Sequence, residues 1–131
     1  MFDRRSFLAA AALGAVIALT PLFSAQAAQS YSDKAFTAAQ AAGKPILLHI
    51  TAPWCPTCRA QKPILSKIES EPKFKNLVVL NIDFDSSKGL LRKLRVAQQS
   101  TLIVYKGKQE VGRSTGDTNP DSIAALLGKA I

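Results

Sequence analysis

From residue 46 onward, short apolar runs alternate with longer amphipathic stretches. Ile46-Leu47-Leu48-His49-Ile50 is almost continuously apolar, as expected of a strand buried on both faces. Leu77-Val78-Val79-Leu80-Asn81-Ile82 repeats the pattern, and Thr101-Leu102-Ile103-Val104-Tyr105 makes a third such run. Lys106-Gly107-Lys108 marks a turn into a fourth strand near Gln109 to Arg113. Helices fill the intervals. Ser30 and Ser32 offer caps for a helix through Ala35, Phe36, Ala39 and Ala42, ended by Gly43 with Pro45 just beyond. A second helix begins near Pro56 or Thr57 and extends to about Ser70, with Ile64, Leu65 and Ile68 inward. Pro63 should kink it by removing a backbone donor. Ser86 to Arg95 reads as a short basic helix with Leu90, Leu91 and Leu94 facing inward. Asn119-Pro120 pairs a cap with a first helical position and opens a last helix through Ile123, Leu126 and Leu127. The order αβαβαββα predicts an α/β fold. A parallel sheet carries helices on both faces, and the closing hairpin adds one antiparallel strand.

The first 27 residues stand apart from this pattern. MFDRRSFLAAAALGAVIALTPLFSAQA opens with Arg4 and Arg5, runs into an apolar segment and closes on Ala25-Gln26-Ala27. That is the layout of an export signal. Arg-Arg-Ser-Phe-Leu is similar to a twin-arginine signal, although Asp3 stands where Ser or Thr is usual and Ala9 where lysine is common. An ordinary secretory signal is the alternative. The apolar run is near the ~18–20 residue minimum for spanning a bilayer, but Pro21 interrupts it, so no stable membrane insertion is expected after cleavage. Residues 1–27 are therefore assigned to export and 28–131 to one domain, with a periplasmic or otherwise exported location. Residues 28–131 suffice for one modest core.

Setting aside Arg4, Arg5 and Asp3 takes the formal net charge from +8 to +7. The basic residues are scattered, with Arg92-Lys93-Leu94-Arg95 the only dense patch, and no nucleic-acid motif accompanies them. A solvated basic surface is the reading, and no nucleic-acid partner is expected.

Export changes the meaning of the only two cysteines, in Ala52-Pro53-Trp54-Cys55-Pro56-Thr57-Cys58. Outside the cytoplasm disulfides form and persist. A four-residue ring would stabilise the fold by only about 2 kcal/mol, which makes a structural staple a poor explanation. Two sulfurs are half a tetrahedral zinc set, and His49 is the only histidine. A redox pair needs nothing further. The pair falls between a buried strand and a helix start, where unpaired N–H groups and the helix dipole favour an anion. Cys55 should thus ionise more readily than a free thiol of pKa about 8.5 and be open to solvent. Cys58, one turn further in, can resolve a mixed disulfide. Trp54 either covers one side of the site or is a core or rim aromatic.

These residues resemble the thioredoxin family in its exported form. The resemblance runs from about residue 34 to 130. It is carried by the cysteine motif with its tryptophan, Pro63 five places on, Leu80-Asn81-Ile82-Asp83, Thr101-Leu102 and Gly116 before the last helix. It implies a three-layer thioredoxin-like fold with a central mixed sheet of about four strands. The family's usual first strand is not evident, since the segment before Phe36 is short and polar. The resemblance further implies a protein-disulfide oxidoreductase with Cys55 as nucleophile and Cys58 as resolving thiol. It implies protein thiol and disulfide substrates, an upstream redox partner, a monomer, and no cofactor or metal beyond the redox-active Cys55–Cys58 disulfide. The dipeptide Pro56-Thr57 matches neither the typical reductant Gly-Pro nor the typical oxidant Pro-His. Reduction is favoured because the chain has no room for the large helical insertion of exported oxidants.

Two positions depart from the family pattern. His49 stands where a buried aspartate is usual, and Val79 where its lysine partner is common. A neutral imidazole could handle the second thiol's proton in place of the carboxylate, or could be a core residue bonded to backbone. Ser100 stands where the family has a cis-proline. A cis bond before a non-proline residue costs about 2.5–4 kcal/mol, so Gln99–Ser100 is expected to be trans, with its hydroxyl able to reach a thiolate or an ion. Two rival readings follow: a Cu(I)- or zinc-delivery protein using Cys55 and Cys58 with His49 or Ser100, and a binding module with incidental redox activity.

Overall fold

The computed structural model describes residues 28–131 and, N-terminal to them, Gly14 alone. The expected export segment thus lies outside the described residues. Among those described, no helix is long and apolar enough to cross a membrane. The elements follow in the order β1 (Gln29–Ser30), α1 (Asp33–Ala41), β2 (Pro45–Thr51), α2 (Pro56–Glu69), β3 (Val78–Asp83), α3 (Lys88–Leu94), β4 (Thr101–Lys106), β5 (Gln109–Thr115) and α4 (Pro120–Gly128).

Local chemistry places the helices. Ser32 caps α1, its hydroxyl accepting from Ala35 N–H at 3.0 Å, and Gly43 leaves the helix at φ +68°. Asn119 caps α4 through Ser122 N–H at 3.0 Å, with Pro120 in the first turn. On α2 the buried positions are Cys58, Gln61, Leu65 and Ile68, spaced three and four apart on one face. The helix continues through Pro63.

The sheet order is β1-β3-β2-β4-β5. β2 is central, parallel to β3 and antiparallel to β4. The strand running against the others is therefore β4, not the last strand as expected; β5 turns back through the hairpin and is parallel to β2 again. The helix in this connection is short. Seven residues of α3 rise about 10 Å, roughly half the length of a six-residue strand, and the chain re-enters the sheet at the end it left. A fifth strand, β1, exceeds the expected four. It is two exposed polar residues at the edge, held by parallel pairing to Leu80 and Asn81 and by Tyr31 N–H donating to the Asn81 carbonyl at 2.8 Å. An edge strand needs ladder bonds and no apolar face, which is why its sequence is silent.

Successive residues of β2 serve opposite cores. Leu47 packs with Leu65, Ile68, Phe74, Leu102 and Ile123 beneath α2 and α4. Ile46, Leu48 and Ile50 pack with Leu80, Ile103 and Leu91 on the side of α1 and α3. By the same alternation His49 lies on the α2 face.

Candidate active site

The cysteines sit where the central strand ends and α2 begins. Cys55 is the N-cap, and Pro56, which has no N–H to leave unsatisfied, is the first helical residue. Cys58 N–H donates to Cys55 Sγ at 3.1 Å. The two sulfurs are joined, with the Cα atoms 5.3 Å apart. Both cysteines are only 1% exposed, so the expected contrast between an open Cys55 and a covered Cys58 is absent from the disulfide form. Ala52 and Phe84 pack around the pair and account for this burial.

Trp54 is a rim residue, 53% exposed. Its indole N–H donates to Asp85 Oδ2 at 2.8 Å, and its ring meets Phe84 edge to face at 6.5 Å. Phe84 is held in turn by its N–H donating to the Thr51 carbonyl and by Lys88 Nζ 3.6 Å above its ring. Pro56 is exposed and Thr57 half-buried. Phe84 and Asp85 were not foreseen; they follow β3 and reach the site only because β3 and β2 end side by side.

His49 is 2% exposed, and its Nε2 lies 3.0 Å from Gln61 Oε1. Burial holds the ring's pKa below its ordinary value, and the Lys62 cation adds to this, while the bond to Gln61 opposes both. Gln61 is completely buried and was not singled out in the sequence. A polar residue three positions after Cys58 and four before Leu65, on the inward face of a helix, is the signal that could have found it.

Ser100 precedes β4 at φ +58°, a left-handed conformation uncommon for residues other than glycine. No cis peptide occurs among the described residues, in line with the expected trans Gln99–Ser100 bond. Backbone bonds hold the turn. Ser100 N–H donates to the Ile50 carbonyl at 2.8 Å, and its own carbonyl accepts from Gly116 N–H at 3.0 Å and Gln61 Nε2 at 3.1 Å. The hydroxyl is hydrogen-bonded to neither sulfur. It donates to the Gln99 carbonyl at 2.6 Å, within its own peptide unit. What borders the pair is the Ile50 carbonyl, which accepts from Ser100 N–H and lies 3.9 Å from Cys58 Sγ. Among the described residues no three of His, Cys, Asp and Glu gather into a metal-holding group, so the metal-delivery reading is left with two sulfurs from this chain.

A family model described as thioredoxin matches residues 27–129. The chain belongs to the thioredoxin family. It is 32% identical over 84 residues to a thioredoxin of Chlamydia trachomatis, across 64% of this chain and 80% of that one. It is 34% identical over 73 residues to the bifunctional thioredoxin reductase/thioredoxin of Mycobacterium leprae, a match covering 56% of this chain and 16% of that one. Among solved structures, Trxlp from Edwardsiella tarda EIB202 superposes with a TM-score of 0.74 at 44% identity, covering 77% of this chain and 98% of that one. The thioredoxin of Trypanosoma brucei brucei, at 23% identity and a TM-score of 0.67, covers 79% and 89% and shares the fold.

As a thioredoxin-family protein with its Cys-X-X-Cys pair at bonding distance, the chain is a protein-disulfide oxidoreductase. The exchange is a transfer of two electrons and two protons. One dithiol becomes a disulfide as the partner's disulfide becomes a dithiol. Under α2 lies the buried His49 imidazole, and the Ser100 turn before β4 is held by backbone bonds in a left-handed conformation.

Proposed function

We propose that this protein reduces protein disulfides outside the cytoplasm, with Cys55 attacking and Cys58 resolving. The observation that carries the roles is the Cys58 N–H aimed at Cys55 Sγ at the start of a 14-residue helix. A thiolate on Cys55 gains that donor and the helix dipole, whereas Cys58 lies inside the first turn. The thiolate attacks one sulfur of the substrate disulfide and forms a mixed disulfide, releasing the other sulfur as thiolate. Cys58 then loses its proton and attacks the Cys55 sulfur, which frees the reduced substrate and leaves Cys55–Cys58 oxidised. An upstream reductase restores the dithiol, a partner class in keeping with the thioredoxin reductase/thioredoxin protein this chain resembles in part. His49 moves the Cys58 proton, as a buried base whose ring is neutral at rest. The architecture supports the reducing direction: between α2 and α4 the described residues hold only a short 3-10 turn and the compact β3-α3-β4-β5 run, with no inserted helical domain. The export-signal pattern of residues 1–27 supports the location.

The test is trapping together with a potential. Cys58→Ser should accumulate mixed disulfides with client proteins and Cys55→Ser none. The pair should equilibrate with glutathione at a potential on the reducing, thioredoxin side of the family's range. Mixed disulfides formed through Cys58 in the Cys55→Ser variant would reverse the roles. A potential on the oxidising side would reverse the direction.

A further inference from the structure

Gln61 joins the buried histidine to the Ser100 turn and to the Asp117 loop before α4. It lies on α2 one turn beyond Cys58 and has no exposed surface. Its amide nitrogen donates to the Ser100 carbonyl at 3.1 Å and to the Asp117 carbonyl at 2.9 Å. Carbonyls only accept, so the two amide hydrogens are both committed, and this identifies which end of the side chain is nitrogen. The remaining oxygen has no hydrogen to give, and it faces His49 Nε2 at 3.0 Å. Nε2 must therefore carry a hydrogen. In the neutral ring Nδ1 then holds the lone pair.

We propose that Gln61 is a positioning residue for the exchange reaction: it locks His49 in the Nε2–H tautomer, so that Nδ1 gains and loses the proton, and it pins the Ser100 turn beside the cysteine pair. The proton half rests on the proposed role of His49; the pinning half does not. Protonation at Nδ1 leaves the Nε2–H bond to Gln61 intact. The ring can thus charge and discharge without releasing Ser100 or Asp117. The groups around it are few. Lys62 on α2 is the cation that acts on the ring. Asn81 on β3 and Leu102 on β4, its partners across the sheet, are uncharged. The Asp117 carboxylate is turned away to Asn119 N–H and the Ser122 hydroxyl.

The arrangement is tested by nitrogen-15 NMR of the His49 ring in the oxidised wild-type protein near neutral pH. A single Nε2–H pattern is expected; an Nδ1–H pattern, or averaging of both tautomers, overturns the proposal without any variant being made. In Gln61→Met the ring should become a tautomer mixture and titrate at lower pH, and the Ser100 amide should exchange at least tenfold faster. A folded Gln61→Met with unchanged tautomer and unchanged exchange at Ser100 would also overturn it. The tautomer is read on resting protein, so its failure is separate from that of the His49 reading, which would show as an unchanged pH–rate profile in His49→Ala.

Discussion

Replacing Gln61 by methionine isolates the worth of the buried amide. The two side chains have similar length and volume, so little cavity forms and the loss is dominated by unmade hydrogen bonds. Three groups lose a partner. The Ser100 carbonyl keeps Gly116 N–H and is little affected. The Asp117 carbonyl loses a bond that is only part-buried, so water can replace some of it. His49 Nε2–H, in a residue 2% exposed, has no substitute. A buried unsatisfied group costs about 1–3 kcal/mol, and the part-buried carbonyl the lower end of that range. The expected loss is thus about 2–4 kcal/mol. For a domain of this size that lowers Tm by roughly 8–32 °C, at 4–8 °C per kcal/mol. Urea unfolding of the oxidised proteins measures it as a fall in midpoint at constant slope. Adding His49→Leu removes the orphaned donor, so the double variant should lose less than the sum of the singles, with a coupling of about 1 kcal/mol or more. A loss under about 0.5 kcal/mol in Gln61→Met, with additive behaviour in the double variant, would refute the reasoning.

His49 also makes a pH prediction. Its folded pKa lies below the ordinary value of about 6.5, so the unfolded chain takes up the proton first as pH falls. Its contribution to stability is full above that pH and is lost as pH falls toward the folded value, at no more than about 1.4 kcal/mol per pH unit. Wild type should lose more stability than His49→Leu between about pH 7.5 and 5.5, and equal losses would count against a depressed pKa. Ser100→Pro should lose about 3 kcal/mol or more in urea unfolding, because proline holds φ near −65° and has no N–H for the Ile50 carbonyl, whereas Ser100 sits at +58°. A variant as stable as its parent would mean the turn is easily remade. Expression in an exporting host followed by N-terminal sequencing should return Ala28 as the first residue; exported protein that still begins at Met1 would exclude cleavage after Ala27.

Much of this protein is written in local pattern. Apolar runs at 46–50, 77–82 and 101–105 mark the central strands because a strand buried on both faces must be apolar at every position. Ser32, Gly43, Asn119 and Pro120 mark helix ends because caps act within a few residues. The cysteine pair between strand and helix discloses the chemistry for the same reason: the donor that serves Cys55 is three residues away. Other features depend on segments distant in sequence. The direction of β4 shows only in its antiparallel pairing with β2, and β1 exists only as a partner for β3. Phe84, which arrives from another strand end, packs against the cluster of Ala52, Cys55 and Cys58. The Ser100 hydroxyl turns back to Gln99 while its backbone is held by Ile50, Gly116 and Gln61. Gln61 reads as one polar residue on a helix until the fold brings it to His49, 12 positions before it, and to Ser100 and Asp117, 39 and 56 positions beyond. Periodicity and capping are short-range constraints and can be read along the chain. A buried hydrogen bond is satisfied by whatever packing brings within about 3 Å, and only the tertiary structure decides that.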